Sequence, residues 1–183
     1  PFDWREGFPF PFMKRAAKYR MTEGGTLSDQ EWNEICTEIL EKRAKRRALY
    51  ILQRMERTEY QLRQKLQENG YPEEIVQCAI DYVKSFHYVD DYRYACTYIR
   101  YHQTEKSRLQ LKMKLYERGV ASDLIEQALE DEYSGEEEQL IDRLLEKKHY
   151  DAETMDQKEK QRIYQYLMRR GFRPETIRHR MGI

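Results

Sequence analysis

Beyond Ser28 the apolar residues of this chain recur three and four apart, the spacing of one face of a helix. Ile75, Val76, Ala79, Ile80 and Val83 form one such stripe, and Tyr94, Ala95, Tyr98 and Ile99 another. Leu124, Ile125, Ala128 and Leu129 form a third, and Leu140, Ile141, Leu144 and Leu145 a fourth. Faces of this i, i+1, i+4, i+5 kind are wide enough to pack against two neighbours. From Thr26 to Arg118 there is one glycine, Gly70, in a stretch of Leu, Glu, Lys, Arg and Gln that favours helix throughout. Starts are marked by capping-box pairs, Ser28 with Glu31, Thr58 with Gln61, Ser107 with Gln110 and Ser134 with Glu137. Asp156 with Glu159 is a looser pair, Asp90 a simple N-cap, and Pro72 and Pro174 suit a first helical position. Gly70, Gly119 and Gly171 fit the left-handed residue that closes a helix. The pattern predicts helices over about 29–56, 59–69, 73–84, 91–103, 108–118, 123–132, 135–147, 157–170 and 174–181.

Aligning the three glycines exposes a repeat. Four residues before each stands Leu66, Leu115 or Leu167, and eight before stands Leu62, Leu111 or Ile163. One residue after stands Tyr71, Val120 or Phe172, six after Val76, Ile125 or Ile177, and ten after Ile80, Leu129 or Met181. The expected fold is therefore all-α, three tandem three-helix repeats in an elongated or curved array. The expected divisions are a first repeat with a long leading helix over 28–88, a second over 89–133 and a third over 134–183. The third departs from the pattern, with Thr176 and Arg180 where the others carry apolar residues. Residues 1–27 read differently: Phe2, Trp4, Phe8, Phe10 and Phe12 stand among three of the five prolines, suggesting a small aromatic arm or hairpin.

Composition narrows the function. Charged residues are 36% of the 183 and apolar ones 39%, more charged and less apolar than an ordinary domain. No apolar run is long enough for a transmembrane helix, no secretory leader pattern opens the chain, and a cytoplasmic, monomeric protein is expected. Because the chain begins at Pro1 rather than Met, part of the N-terminus is expected to be missing. Cys36, Cys78 and Cys96 are widely spaced and odd in number, which fits reduced thiols; no metal or cofactor is expected. No phosphate-binding Gly-rich loop, nucleophile elbow or zinc helix is present. Asp90-Asp91 reads as a helix cap, since adjacent residues at a helix start point about 100° apart. No catalytic residue is assigned.

Thirty-three basic and thirty-three acidic residues cancel overall but not locally. Residues 41–68 hold nine basic and four acidic side chains, 92–120 seven and two, 121–155 three and twelve, and 156–183 eight and three. The clearest basic candidates for contact with a partner that carries phosphates and charged protein surface are Lys112, Lys114 and Arg118 in the second repeat and Arg169, Arg170 and Arg173 in the third. Lys42-Arg43-Ala44-Lys45-Arg46-Arg47 is the densest run. The plainer reading is solvated helix faces tied by i, i+4 pairs. Most of the fifteen tyrosines, Tyr94 and Tyr98 among them, sit at core spacing, while Tyr101 and Tyr116 are uncommitted.

Phe86-His87-Tyr88-Val89-Asp90-Asp91-Tyr92-Arg93-Tyr94-Ala95, Arg57-Thr58-Glu59-Tyr60-Gln61-Leu62 with Lys65-Leu66 and Gly70, and Tyr166-Leu167-Met168-Arg169-Arg170-Gly171-Phe172 together resemble the RecX family, regulators of the bacterial RecA recombinase. The likeness spans about residues 45–183 and departs at Lys106-Ser107, where many members carry a basic residue followed by glycine. The resemblance implies a non-enzymatic protein of DNA repair and the SOS response. Its expected partner is the RecA filament, with single- or double-stranded DNA as a further one. It would mostly inhibit recombinase ATP hydrolysis, strand exchange and co-protease activity. Two alternatives stand beside it: an autonomous DNA-binding helical protein, which zero net charge argues against, and a purely protein-binding helical scaffold.

Overall fold

The structure is a computed structural model that describes residues 28–135 and 137–183. The expected N-terminal arm lies outside the described residues. Helices α1 (Asp29–Ile35) and α2 (Glu41–Arg54) are joined without a break by a π-helical stretch, Cys36–Leu40. Then follow α3 (Glu59–Glu68), α4 (Glu73–Ser85), α5 (Asp91–His102), α6 (Arg108–Glu117), α7 (Ser122–Glu132), α8 (Glu137–Lys147), α9 (Gln157–Arg169) and α10 (Pro174–Met181). No strand occurs among the described residues.

The predicted leading helix is continuous but not uniform. Its buried residues are Ile35, Ile39, Leu40, Ala44 and Ala48, and their four-residue steps drift about 40° each around an ideal helix. One wider turn, in which the Glu41 N–H reaches Cys36, takes up part of that drift and keeps the stripe on the core. The Thr37 hydroxyl donates back to the Asn33 carbonyl at 2.9 Å, a bond that bends helices.

The three glycines close α3, α6 and α9 identically. Their φ angles are 79°, 79° and 82°. The next residue's N–H reaches back to the leucine four before the glycine: Tyr71 to Leu66 at 3.4 Å, Val120 to Leu115 at 3.2 Å, Phe172 to Leu167 at 3.5 Å. This is the Schellman pattern with its hydrophobic contact. His87 (φ 55°) and His149 (φ 49°) close α4 and α8 in the same way without a glycine. The capping boxes at Ser28, Ser107 and Asp156 form, and the Thr58 hydroxyl accepts the Gln61 N–H. Pro72 stands at the N-cap, one place before the expected first helical position, whereas Pro174 opens α10. Helix α8 begins at Glu137 rather than 135. Glu137 turns its carboxylate to the Tyr133 hydroxyl (3.2 Å) and the Arg108 N–H (3.4 Å).

Each repeat has its own buried cluster: Ile35 to Val89, Tyr94 to Leu129, and Leu140 to Met181. Every repeat column from the sequence is buried, except that Ile163 and Tyr71 are partly covered. Arg180, a departure in the third repeat, binds Asp142 at 2.7 Å and lies 3.7 Å from Glu138. The chain divides into two compact bodies between Asp90 and Asp91. The second and third repeats thus share a body, joined through α6 and the corner at Gly171. The buried Ser107 hydroxyl donates to the Arg170 carbonyl, and Leu109 lies against Gly171.

Candidate functional site

Among the described residues no helix is long and apolar enough to cross a membrane, and no group of three or more His, Cys, Asp and Glu stands together as metal ligands. Charge is the chemistry to be traced.

The six candidate cations do not form one surface. Lys112 is tied to Glu126 on α7, which it shares with Arg108 at 3.3 Å; these cations hold the Glu126 carboxyl below the usual range. Lys114 pairs with Glu117 at 2.6 Å. Arg118 turns inward, donating to the Tyr94 hydroxyl with its guanidinium 4.4 Å from the Tyr98 ring centre. Arg169 is exposed. Arg170 and Arg173 diverge, because Gly171 reverses the chain between them. Arg173 lines a cavity of about 570 Å³ with Arg108, Lys112, Glu126 and Glu137, whereas Arg170 lines a different one of about 750 Å³. The dense run on α2 is largely engaged too: Lys42 with Glu38 (2.6 Å), Lys45 with Glu41 (3.1 Å), and Arg47 with Asn69 (2.7 Å).

The larger cavity gathers cations that the sequence reading passed over. It is a groove where the second repeat meets the third, and Lys106, Arg143, Lys147, Lys148 and Arg170 line it. Leu140, Arg143, Leu144 and Lys147 share one face of α8, at i, i+3, i+4 and i+7; the leucines are buried and the cations exposed above them. Tyr166 on α9 has two cations near its ring, with Lys148 Nζ 4.9 Å and the Arg170 guanidinium 5.0 Å from its centre. Among the described residues none of the five has an ion-pair partner. The acidic residue on the wall is Glu105.

Segment counting hid this groove. Arg143, Lys147 and Lys148 are the three basic residues of the strongly acidic stretch 121–155. Three acids of the same helix look elsewhere: Asp142 and Glu138 bind Arg180, and Glu137 binds Tyr133 and Arg108. The legible signal was the i, i+4 spacing of Arg143 and Lys147 along the edge of the apolar stripe.

Beside the groove, at the end of α5, His102 packs 4.3 Å from the Tyr98 ring. Its Nδ1 lies 3.2 Å from Lys106 Nζ. An ammonium only donates, so Nδ1 accepts and the imidazole is neutral. Burial first, then the Lys106 charge, hold its pKa below the ordinary histidine value.

The class so defined is a tandem three-helix-domain protein, with one buried cluster per domain. Family models for the first, second and third three-helix domains of RecX match residues 44–82, 90–129 and 136–180. The chain belongs to the RecX family of regulatory proteins. It is 31% identical over 163 residues to the regulatory protein RecX of Caldanaerobacter subterraneus, covering 88% of this chain and 80% of that one. It is 31% identical over 140 residues to the regulatory protein RecX of Vibrio parahaemolyticus, covering 76% and 90%. A crystal structure of regulatory protein RecX shares the fold, with a TM-score of 0.73 and 22% identity over 93% of this chain and 87% of that one.

Proposed function

We propose that this protein binds the RecA filament on DNA and restrains it, slowing ATP hydrolysis, strand exchange and co-protease activity as a regulator rather than an enzyme. The observation that carries this reading is family membership in all three domains, since each repeat matches its own RecX domain in order. The charge layout supports it. Basic and acidic surfaces segregated along a neutral chain suit a partner that offers both phosphates and charged protein surface. The working units are the repeats bounded at 28–88, 89–133 and 134–183, in a monomer acting in the cytoplasm. Lys112, Lys114, Arg118, Arg169, Arg170 and Arg173 are the candidate filament contacts, with Arg169 and Arg173 exposed at either side of Gly171.

The test is the DNA-dependent ATPase of a cognate RecA filament titrated with this protein. The expected result is a slowed rate at substoichiometric protein, with no hydrolysis by the protein alone. An unchanged rate through saturation overturns the reading and leaves the protein-binding scaffold.

A further inference from the structure

We infer that the outer face of α6, formed by Leu109, Met113 and Tyr116, docks an acidic amphipathic helix of a partner protein. Apolar side chains of that helix lie along the stripe and its carboxylates along the edge that carries Arg108 and Lys112. This goes beyond the filament reading and does not need it.

Three observations carry the inference. First, α6 is apolar on two sides. Leu111 and Leu115 are fully buried in the cluster of the second repeat, while Leu109, Met113 and Tyr116 are 47%, 55% and 68% exposed. Their i, i+4, i+7 spacing lines them up on one face. A surface helix needs only one apolar stripe to hold its place, so the second is free to take a partner. Second, the fold does not ask for this face. Counted back from the closing glycines, the places of Leu109, Met113 and Tyr116 hold Tyr60, Gln64 and Gln67 in the first repeat. In the third they hold Gln161, Gln165 and Met168. Helices α3 and α9 thus close on the same left-handed glycine with mostly amide surfaces. Third, the charge beside the stripe is one-sided. Arg108 and Lys112, four residues apart along one edge, share the single Glu126 carboxylate. On the other edge Lys114 and Glu117 neutralise each other at 2.6 Å. The basic edge leads into the cavity of about 570 Å³ that Leu109 and Arg173 also line. Its carboxylates are engaged, Glu126 by the two cations and Glu137 by Tyr133 and the Arg108 N–H. Among the described residues Arg173 has no ion-pair partner.

An apolar stripe with a basic edge selects its occupant. Aromatic and apolar anchors are what protein partners bury, and a docked helix meets anchors at this spacing. Nucleic-acid interfaces are polar instead. A second copy of this chain would bring the same surplus positive charge to the contact, whereas an acidic helix relieves it.

A simpler role must be separated from this one. Single exposed apolar residues are ordinary on a protein surface, and Leu109 lies against the Gly171 corner. The test therefore leaves Leu109 in place and gives the other two positions the glutamines that the first repeat carries there.

The experiment measures anisotropy of a fluorescein-labelled synthetic peptide with the full chain. The peptide is an alanine-based helix of about 18 residues, with leucines at i, i+4 and i+7 and glutamates along one flank. Saturable binding by the parent is expected, and in Met113→Gln with Tyr116→Gln it is expected to weaken about tenfold at an unchanged melting temperature. Arg173→Gln is expected to weaken binding about threefold. A peptide with glutamines in place of its glutamates is expected to bind the parent and Arg173→Gln alike. No saturable binding by the parent overturns the inference, and so does parental affinity in the double variant. If the double variant melts early, Met113→Gln alone replaces it, with a loss of about threefold expected and parental affinity again overturning. Sedimentation equilibrium follows the free chain: a parent that dimerises beside a monomeric double variant makes a second copy the occupant and overturns the acidic helix. Displacement of the peptide by a thymidine oligonucleotide also overturns it and hands the face to nucleic acid. No recombinase is present, so the outcome is scored apart from the ATPase test.

Discussion

At the scale of single residues, Gly171 is doubly constrained. Its φ of 82° is a left-handed conformation, and a methyl built there would lie 2.6 Å from Leu109 Cδ2. Gly135, at φ 75°, has nothing within 4 Å of the same methyl. Gly135→Ala therefore carries only the conformational cost, about 1 kcal/mol. Gly171→Ala adds displacement of a neighbouring repeat, and an expected loss of about 2–3 kcal/mol. Urea melts of the two variants check the difference, and equal losses would show that Leu109 simply moves aside. His102 makes a second residue-scale case. Its folded pKa is depressed, so the unfolded chain takes up a proton first. Stability from this group is complete above about pH 6.5 and falls as the pH drops through the folded value. His102→Gln keeps an acceptor for Lys106 and removes the titration. Its melting temperature is expected to drop less than the parent's between about pH 7 and pH 5, and parallel curves would assign the acid sensitivity to other groups.

At the scale of elements, the helix ends do more than stop helices. Ser28 and Ser107 cap α1 and α6 with the same box. Ser28 is exposed; Ser107 is fully buried and also donates to the Arg170 carbonyl at the end of α9. Ser28→Ala is expected to cost about 1 kcal/mol or less, the value of a cap in water. Ser107→Ala removes a cap and leaves a carbonyl of another repeat unsatisfied, so about 2–3 kcal/mol is expected. Chemical denaturation measures both, and equal costs would reduce Ser107 to an ordinary cap. Where many family members are expected to carry glycine, this serine links two repeats.

At the scale of the molecule, the three repeats are not equivalent. The first lies in one compact body, and the second and third share the other. The groove arises from that sharing: α8 and α9 bring Arg143, Lys147, Lys148 and Arg170 to one side, and the segment after α5 brings Lys106. The filament ATPase expectation belongs at this scale, because it draws on all three domains.

The sequence by itself determined the helices, most of their caps and the core, because those depend on local bonds and on a period of 3.6 residues; the expected Ser134–Glu137 box does not form, since Glu137 turns to Tyr133 and Arg108 instead. Ser28, Ser107 and Asp156 announced their boxes, Gly70, Gly119 and Gly171 their reversals, and the repeat columns their burial. It did not determine which charges remain available. Lys112, Lys114 and Arg118 looked as open as Arg143, Lys147 and Lys148, yet the first three meet Glu126, Glu117 and Tyr94 while the others face a groove. A cation's partner across a helix pair is fixed by how two faces meet, and that meeting is a property of tertiary packing. Only the packed structure could turn Arg170 and Arg173, three residues apart, into two separate cavities.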